Sequence, residues 1–117
     1  MTSGWKLDRD QRERLLVAHP PKYPNVVADH VTLSITTPEP PADFGKALII
    51  GLADDGTGVQ ALVVEIDGST SRPDGKTWHI TWSLADGRAA RESNDVIARQ
   101  GWLKLASEEI VIRPAVW

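Results

Sequence analysis

The 117-residue chain contains no cysteine. A disulfide framework and a thiolate metal site are therefore both excluded, and a reducing cytoplasm is the expected compartment. Long apolar runs are missing as well. The opening MTSGWKLDRDQRER lacks the apolar core of a signal peptide, and no later stretch is apolar for the roughly 20 residues a membrane-spanning helix needs. There is no basic excess, because 13 Lys and Arg stand against 16 Asp and Glu, a formal charge of −3. Tracking a nucleic-acid backbone depends on clustered cations, so an extended duplex is not an expected partner, and any phosphate ligand should be small or held locally. The apolar share of 41% beside 25% charged residues is that of an ordinary folded protein and argues against disorder. A chain of this length supports one modest core, so residues 1–117 are expected to form a single domain, taken as a monomer.

What is present reads as short elements. DRDQRERLLVA, from Asp8 to Ala18, has an acidic start and good helix formers and stops at Pro20 and Pro21, which predicts a short helix. ADHVTLSIT, from Ala28 to Thr36, alternates Val31, Leu33 and Ile35 with polar residues, the period of a half-buried strand. After the proline-rich TPEPPADFG, the runs KALIIGLA and VQALVVEIDG flank DDGTG and predict a hairpin. SRPDGK is a further turn. TWHITWSL repeats the alternation, with Trp78, Ile80, Trp82 and Leu84 on one face and His79, Thr81 and Ser83 on the other. SNDVIARQG predicts a second short helix, capped by Ser93 or Asn94 and stopped by Gly101, and WLKLASEEIVIRPAVW supplies one or two closing strands. The expected fold class is therefore α+β, mostly antiparallel strands around a central cleft with one or two short helices.

Only three histidines occur, and two stand in nearly the same setting: HVTLS at His30 to Ser34 and HITWS at His79 to Ser83. Alternate residues of a strand point the same way, so His30 emerges beside Thr32 and His79 beside Thr81. If the two strands lie together, two imidazoles and two hydroxyls converge. Such a set suits phosphoryl chemistry: one imidazole accepts a proton from water, the other donates one to a leaving alkoxide, and the hydroxyls bind non-bridging phosphate oxygens. The scheme calls for no cofactor and no metal.

Paired motifs of the form H-hydrophobic-T-hydrophobic, here HVTL at His30 to Leu33 and HITW at His79 to Trp82, resemble those of the two-histidine (2H) phosphoesterase superfamily. With KYPNVVADHVTL around the first copy and RPDGKTWHITWSLADGRAARESND around the second, the chain is most similar in look to the cyclic phosphodiesterase domains of fungal and plant tRNA ligases and their bacterial RNA-repair relatives, over Tyr23 to Asn94. The resemblance implies two lobes of antiparallel strands around a cleft. It implies a metal-independent phosphodiesterase acting on 2′,3′-cyclic phosphate RNA ends or on small cyclic or 2′,5′-linked nucleotides, with His30 and His79 as the catalytic pair and Thr32 and Thr81 as phosphate ligands. Which histidine is acid and which is base is left open. The segment between the motifs is shorter than in typical members, so substrate-recognition loops are expected to be reduced or rebuilt.

Other residues carry weaker signals. Lys22 and Tyr23 precede the first motif strand as candidates to meet a phosphate and stack a base, with a turn anchor beside Pro24 as the plainer reading. His19 reads as an ordinary surface residue. The parity of Trp78 and Trp82 puts them with the core rather than with a base. Two further classes stand beside the enzyme: a metal site built from His30, His79 and Asp29 or Asp43, and a non-catalytic module that binds a nucleotide or RNA end in the same cleft.

Overall fold

The computed structural model describes residues 2–36, 39, 41 and 46–117. Two antiparallel sheets carry the fold. The first holds β1 (Ser3–Leu7), β3 (His30–Ser34) and β8 (Ile112–Val116) in the order β3-β1-β8. The second holds β2 (Asn25–Val26), β4 (Ala47–Asp54), β5 (Val59–Ile66), β6 (His79–Leu84) and β7 (Leu103–Ile110) in the order β2-β6-β5-β4-β7. Helix α1 (Arg9–Ala18) follows β1, and α2 (Glu92–Gln100) follows β6. The α+β class and the antiparallel pairing agree with the alternating sequence pattern. Among the described residues no helix is long and apolar enough to cross a membrane.

Local sequence explains most of the elements. Asp8 caps α1 by accepting from the Gln11 N–H at 3.0 Å, and Leu15 is the one fully buried side chain of this polar helix. The β4–β5 hairpin turns at DDGTG, where the Asp55 carboxylate accepts from the backbone N–H groups of Thr57, Gly58 and Val59 at 2.9 to 3.0 Å. Gly101 ends α2 with φ 69°, a conformation that favours glycine. The start of α2 differs from the sequence expectation. Arg91, not Ser93 or Asn94, occupies the N-cap position, without a side-chain cap, and Glu92 reaches back instead to the Ala89 N–H at 2.7 Å. Strand β1 has no alternating signal in SGWKL and was not expected. It forms because both its edges find partners, β3 on one side and β8 on the other.

The central strands of the second sheet, β5 and β6, are buried on both faces. Leu62, Val64, Ile66, Ile80 and Trp82 pack toward the first sheet and α1, in one core with Trp5, Leu15 and Val31. Val59, Ala61 and Val63 pack against Val96 and Ile97 of α2. Trp78 and Trp82 lie in the main core, as their parity implied: Trp78 meets Trp5 edge-on at 5.4 Å between ring centroids, and the Trp82 Nε1–H donates to the His19 carbonyl at 2.8 Å.

Between the sheets the chain changes partner. Val27 and Ala28 donate to the carbonyls of Trp82 and Thr81 on β6 at 2.9 and 3.0 Å, and from His30 onward the chain pairs with β1. Ala28 sits at φ 42°, a left-handed conformation uncommon for a residue with a side chain, and is fully buried. The crossing lays β3 beside β6. Within the first sheet, Gly4 lets β1 approach β3 closely, since a Cβ there would stand 2.1 Å from the Val31 carbonyl oxygen of β3. Gly4→Ala is expected to cost about 1–3 kcal/mol, the usual range for overpacking. Chemical denaturation checks this, and a variant as stable as the parent contradicts the close approach.

Candidate functional site

β3 contributes His30 and Thr32, and β6 contributes His79 and Thr81, to the wall of one pocket of about 930 Å³. Arg72, Asp74 and Lys76 from the turn before β6, Arg91 and Asn94 at the start of α2, and Trp117 complete much of its lining. The four motif residues are thus brought together. Among the described residues, the cations Arg72, Lys76 and Arg91 line the pocket with the carboxylate of Asp74, in a chain whose formal charge is −3.

The imidazoles are oriented by different acceptors. The His30 Nδ1–H donates to the Asp29 carboxylate at 3.0 Å, and the His79 Nδ1–H donates to the Thr77 carbonyl at 2.8 Å. Neither acceptor can donate, so in both rings Nδ1 keeps its proton and Nε2 is the atom that titrates. Asp29 also pairs with the Lys6 ammonium and with Arg9, whose Nη1 donates at 3.0 Å. Burial pushes the Asp29 carboxyl up, but hydrogen bonds from Lys6, His30 and Arg9 outweigh it and hold the group well below the ordinary carboxylate range. The His30 ring leans on Trp117 at 4.6 Å between centroids, with the Lys6 ammonium 4.4 Å from the centre of the indole.

Both histidines are held below the ordinary value of 6.5, first by burial. For His30, the hydrogen bond and charge of Asp29 pull the other way, while the charges of Lys6 and Arg9 add to the lowering. For His79, the Thr77 carbonyl favours the cation, while the charges of Arg72, His30 and Lys76 oppose it. That the charge of His30 is felt at His79 accords with both lining one pocket.

The threonines are not equivalent. Thr32 lines the pocket with no hydroxyl partner among the described residues, and its carbonyl accepts from Arg72 Nη1 at 3.3 Å. The Thr81 hydroxyl lies 2.9 Å from the Ser93 hydroxyl and 3.3 Å from the Ala90 carbonyl. Ser93, expected as a helix cap, is instead buried within the first turn of α2 and ties the helix to β6. The polar face of the second motif strand, read as open to a groove, is largely covered: His79 is 9% exposed and Thr81 7%.

Lys22 and Tyr23 are not among the described residues that line this pocket. Both bind Asp54 at the hairpin, through the ammonium at 2.6 Å and the phenol at 2.6 Å, and burial together with Asp54 pushes the phenol up to about 12. These bonds anchor the loop before β2 to the hairpin, close to the turn-anchor reading. His19 faces Glu108 at 3.2 Å. Of the metal alternative, Asp43 lies outside the described residues and Asp29 is occupied by two cations and an imidazole. No group of three potential ligands that could hold an ion occurs among the described residues. Sequence reasoning passed over Arg72, read only as part of a turn, and Trp117, read only as the end of a strand. Neither carries a periodic or motif signal.

The chain matches no protein-family model, no curated protein and no solved structure.

Two outcomes are expected from the electrostatics. In an NMR titration, Asp29→Asn lowers the His30 pKa further, because it removes the charge and the hydrogen bond that raise it. A His30 pKa that rises in the variant contradicts the arrangement. For stability, the folded chain binds these two protons less readily than the unfolded one. The contribution of the neutral imidazoles is therefore present above 6.5 and declines as pH falls through it. Denaturation on either side of 6.5 measures this, and stability that rises on acidification there reverses the assignment.

Proposed function

We propose that the pocket hydrolyses a phosphodiester, a 2′,3′-cyclic phosphate at an RNA end or on a small nucleotide, by acid–base catalysis between two histidines in the manner of the two-histidine phosphoesterases. The observation that carries this reading is the convergence of His30 and His79, from strands of two different sheets, on one pocket with Nδ1 of each ring tied to an acceptor. Core packing explains neither imidazole, and a purely structural histidine has no need of a matched partner in the same cavity.

The environments suggest the division of labour. Asp29 favours the imidazolium of His30, against burial and the charges of Lys6 and Arg9, and so suits it to the general acid. Arg72 and Lys76 disfavour a cation at His79, which suits a general base. In the first step, His79 Nε2 takes a proton from water as the water oxygen forms its bond to phosphorus. The bond from phosphorus to one ribose oxygen breaks, and that oxygen receives the Nε2 proton of His30. The product is a phosphomonoester beside a free hydroxyl, and proton exchange with solvent resets both rings. Thr32 can donate its hydroxyl to a non-bridging oxygen, and the cationic lining suits an anionic substrate. No step requires a metal.

Assay of 2′,3′-cyclic nucleotides, a cyclic-phosphate-ended RNA and a 2′,5′-linked dinucleotide tests the reading directly. His30→Ala and His79→Ala should each lower turnover by at least about a hundredfold, the low end for a general acid or base. The profile of kcat/KM against pH should pass through a maximum and fall on both sides, with limbs displaced to the acid side of 6.5. A chelator should leave the rate unchanged. Turnover that survives both histidine replacements, or that a divalent ion restores after chelation, sinks the mechanism. Binding without turnover moves the assignment to a nucleotide or RNA-end binding module.

A further inference from the structure

The pocket holds a buried cation that the histidine pair leaves unused. The Arg72 side chain is 7% exposed yet lines the cavity. Asp74 grips it side-on, accepting from Nε at 2.9 Å and Nη2 at 2.8 Å, and the Thr32 carbonyl accepts from Nη1 at 3.3 Å. The Arg72 guanidinium holds the Asp74 carboxyl down to about 2, so the pair stays charged through the neutral range. A guanidinium has more N–H donors than these bonds use, and one on Nη1 and one on Nη2 remain. Among the described residues neither meets a partner. A desolvated cation held by a carboxylate, with donors to spare, is the arrangement that recognises phosphate oxygens.

Thr81 sharpens the point. Its hydroxyl has one hydrogen, which the Ala90 carbonyl accepts at 3.3 Å, and its oxygen is engaged with the Ser93 hydroxyl at 2.9 Å. A phosphate oxygen on the β6 side of the pocket therefore needs another donor, and Arg72 stands in the turn that leads into β6. We propose that Arg72 donates its remaining N–H bonds to the non-bridging oxygens of the reacting phosphate and stabilises the charge that builds there, in the place that Thr81 does not fill. Asp74 is then a positioning residue that fixes the plane of the guanidinium. Thr32 and Arg72 act as one unit, because the Arg72 Nη1–Thr32 carbonyl bond ties the turn to β3. The inference rests on the phosphodiesterase reading of the same pocket.

Steady-state kinetics with a 2′,3′-cyclic nucleotide separates the two. Arg72→Ala is expected to lower kcat by about 10²–10³, the range for loss of one preorganised donor to a developing oxyanion. Millimolar guanidinium ion should restore part of that loss, and Arg72→Lys, which keeps the charge and loses the fork, should remain impaired in kcat. If Arg72→Ala does not fold, as thermal unfolding will show, Arg72→Lys carries the test by the same kcat reading. Wild-type kcat in a folded Arg72 variant overturns this inference alone, as does a loss that follows the fall in unfolding temperature and is not relieved by guanidinium. Absence of turnover in the parent protein overturns the phosphodiesterase reading, and this one with it.

Discussion

The arrangement depends on one crossing of the chain between two sheets. At Val27 and Ala28 the backbone is still paired with β6, and at His30 it is already paired with β1. Between them, Asp29 is held by Lys6 from β1, by Arg9 from α1 and by the imidazole of His30. Arg12 of α1 binds the carbonyls of Ala28 at 2.8 Å and Val27 at 3.2 Å, so the helix clamps the crossing from outside. Buried backbone polar groups that leave a ladder must be paired elsewhere, and these two arginines supply the pairing. Without the crossing, β3 would not reach β6 and the two histidines would have no common space.

Two copies of nearly the same five letters end in different physical situations. The first copy is an edge strand of a three-stranded sheet, half-buried, with its threonine hydroxyl open to the cavity. The second lies between the main core and α2, buried along its whole length, with its threonine engaged by Ser93. The β3 copy meets the pocket with an imidazole paired to a carboxylate, and the β6 copy meets it with an imidazole desolvated among cations. The two rings thus sit among different groups, although burial is the first cause that lowers both.

Charge is distributed on the same principle. A chain with a slight acidic excess places Arg72, Lys76 and Arg91 around one cavity, and spends Lys6 and Arg9 on a single carboxylate behind His30. Of the cations around the cavity, Arg72 is buried and held by Asp74, whereas Lys76 and Arg91 are exposed. Net charge is a sum over the whole chain and says little about the local balance of one cavity.

The sequence by itself determined the class of fold, the β4–β5 hairpin, both helices to within a residue or two, the burial of Trp78 and Trp82, and the pairing of His30 with His79 as the residues to watch. All of these follow from local rules: strand parity, turn chemistry, helix formers and stops. What it left undetermined is long-range. β1 has no pattern of its own and exists only because β3 and β8 flank it. Lys22 and Tyr23, near the first motif in sequence, were drawn to Asp54 on the hairpin by charge and a hydrogen bond. Ser93 turned from a cap into a buried tie because α2 closes over β6. Arg72, Asp29 and Trp117 join the site from a turn, a crossing and a strand end, whose positions are set by backbone pairing between segments far apart in the chain. Periodicity reports which face a residue takes within its own element; only the packing of elements decides which faces meet.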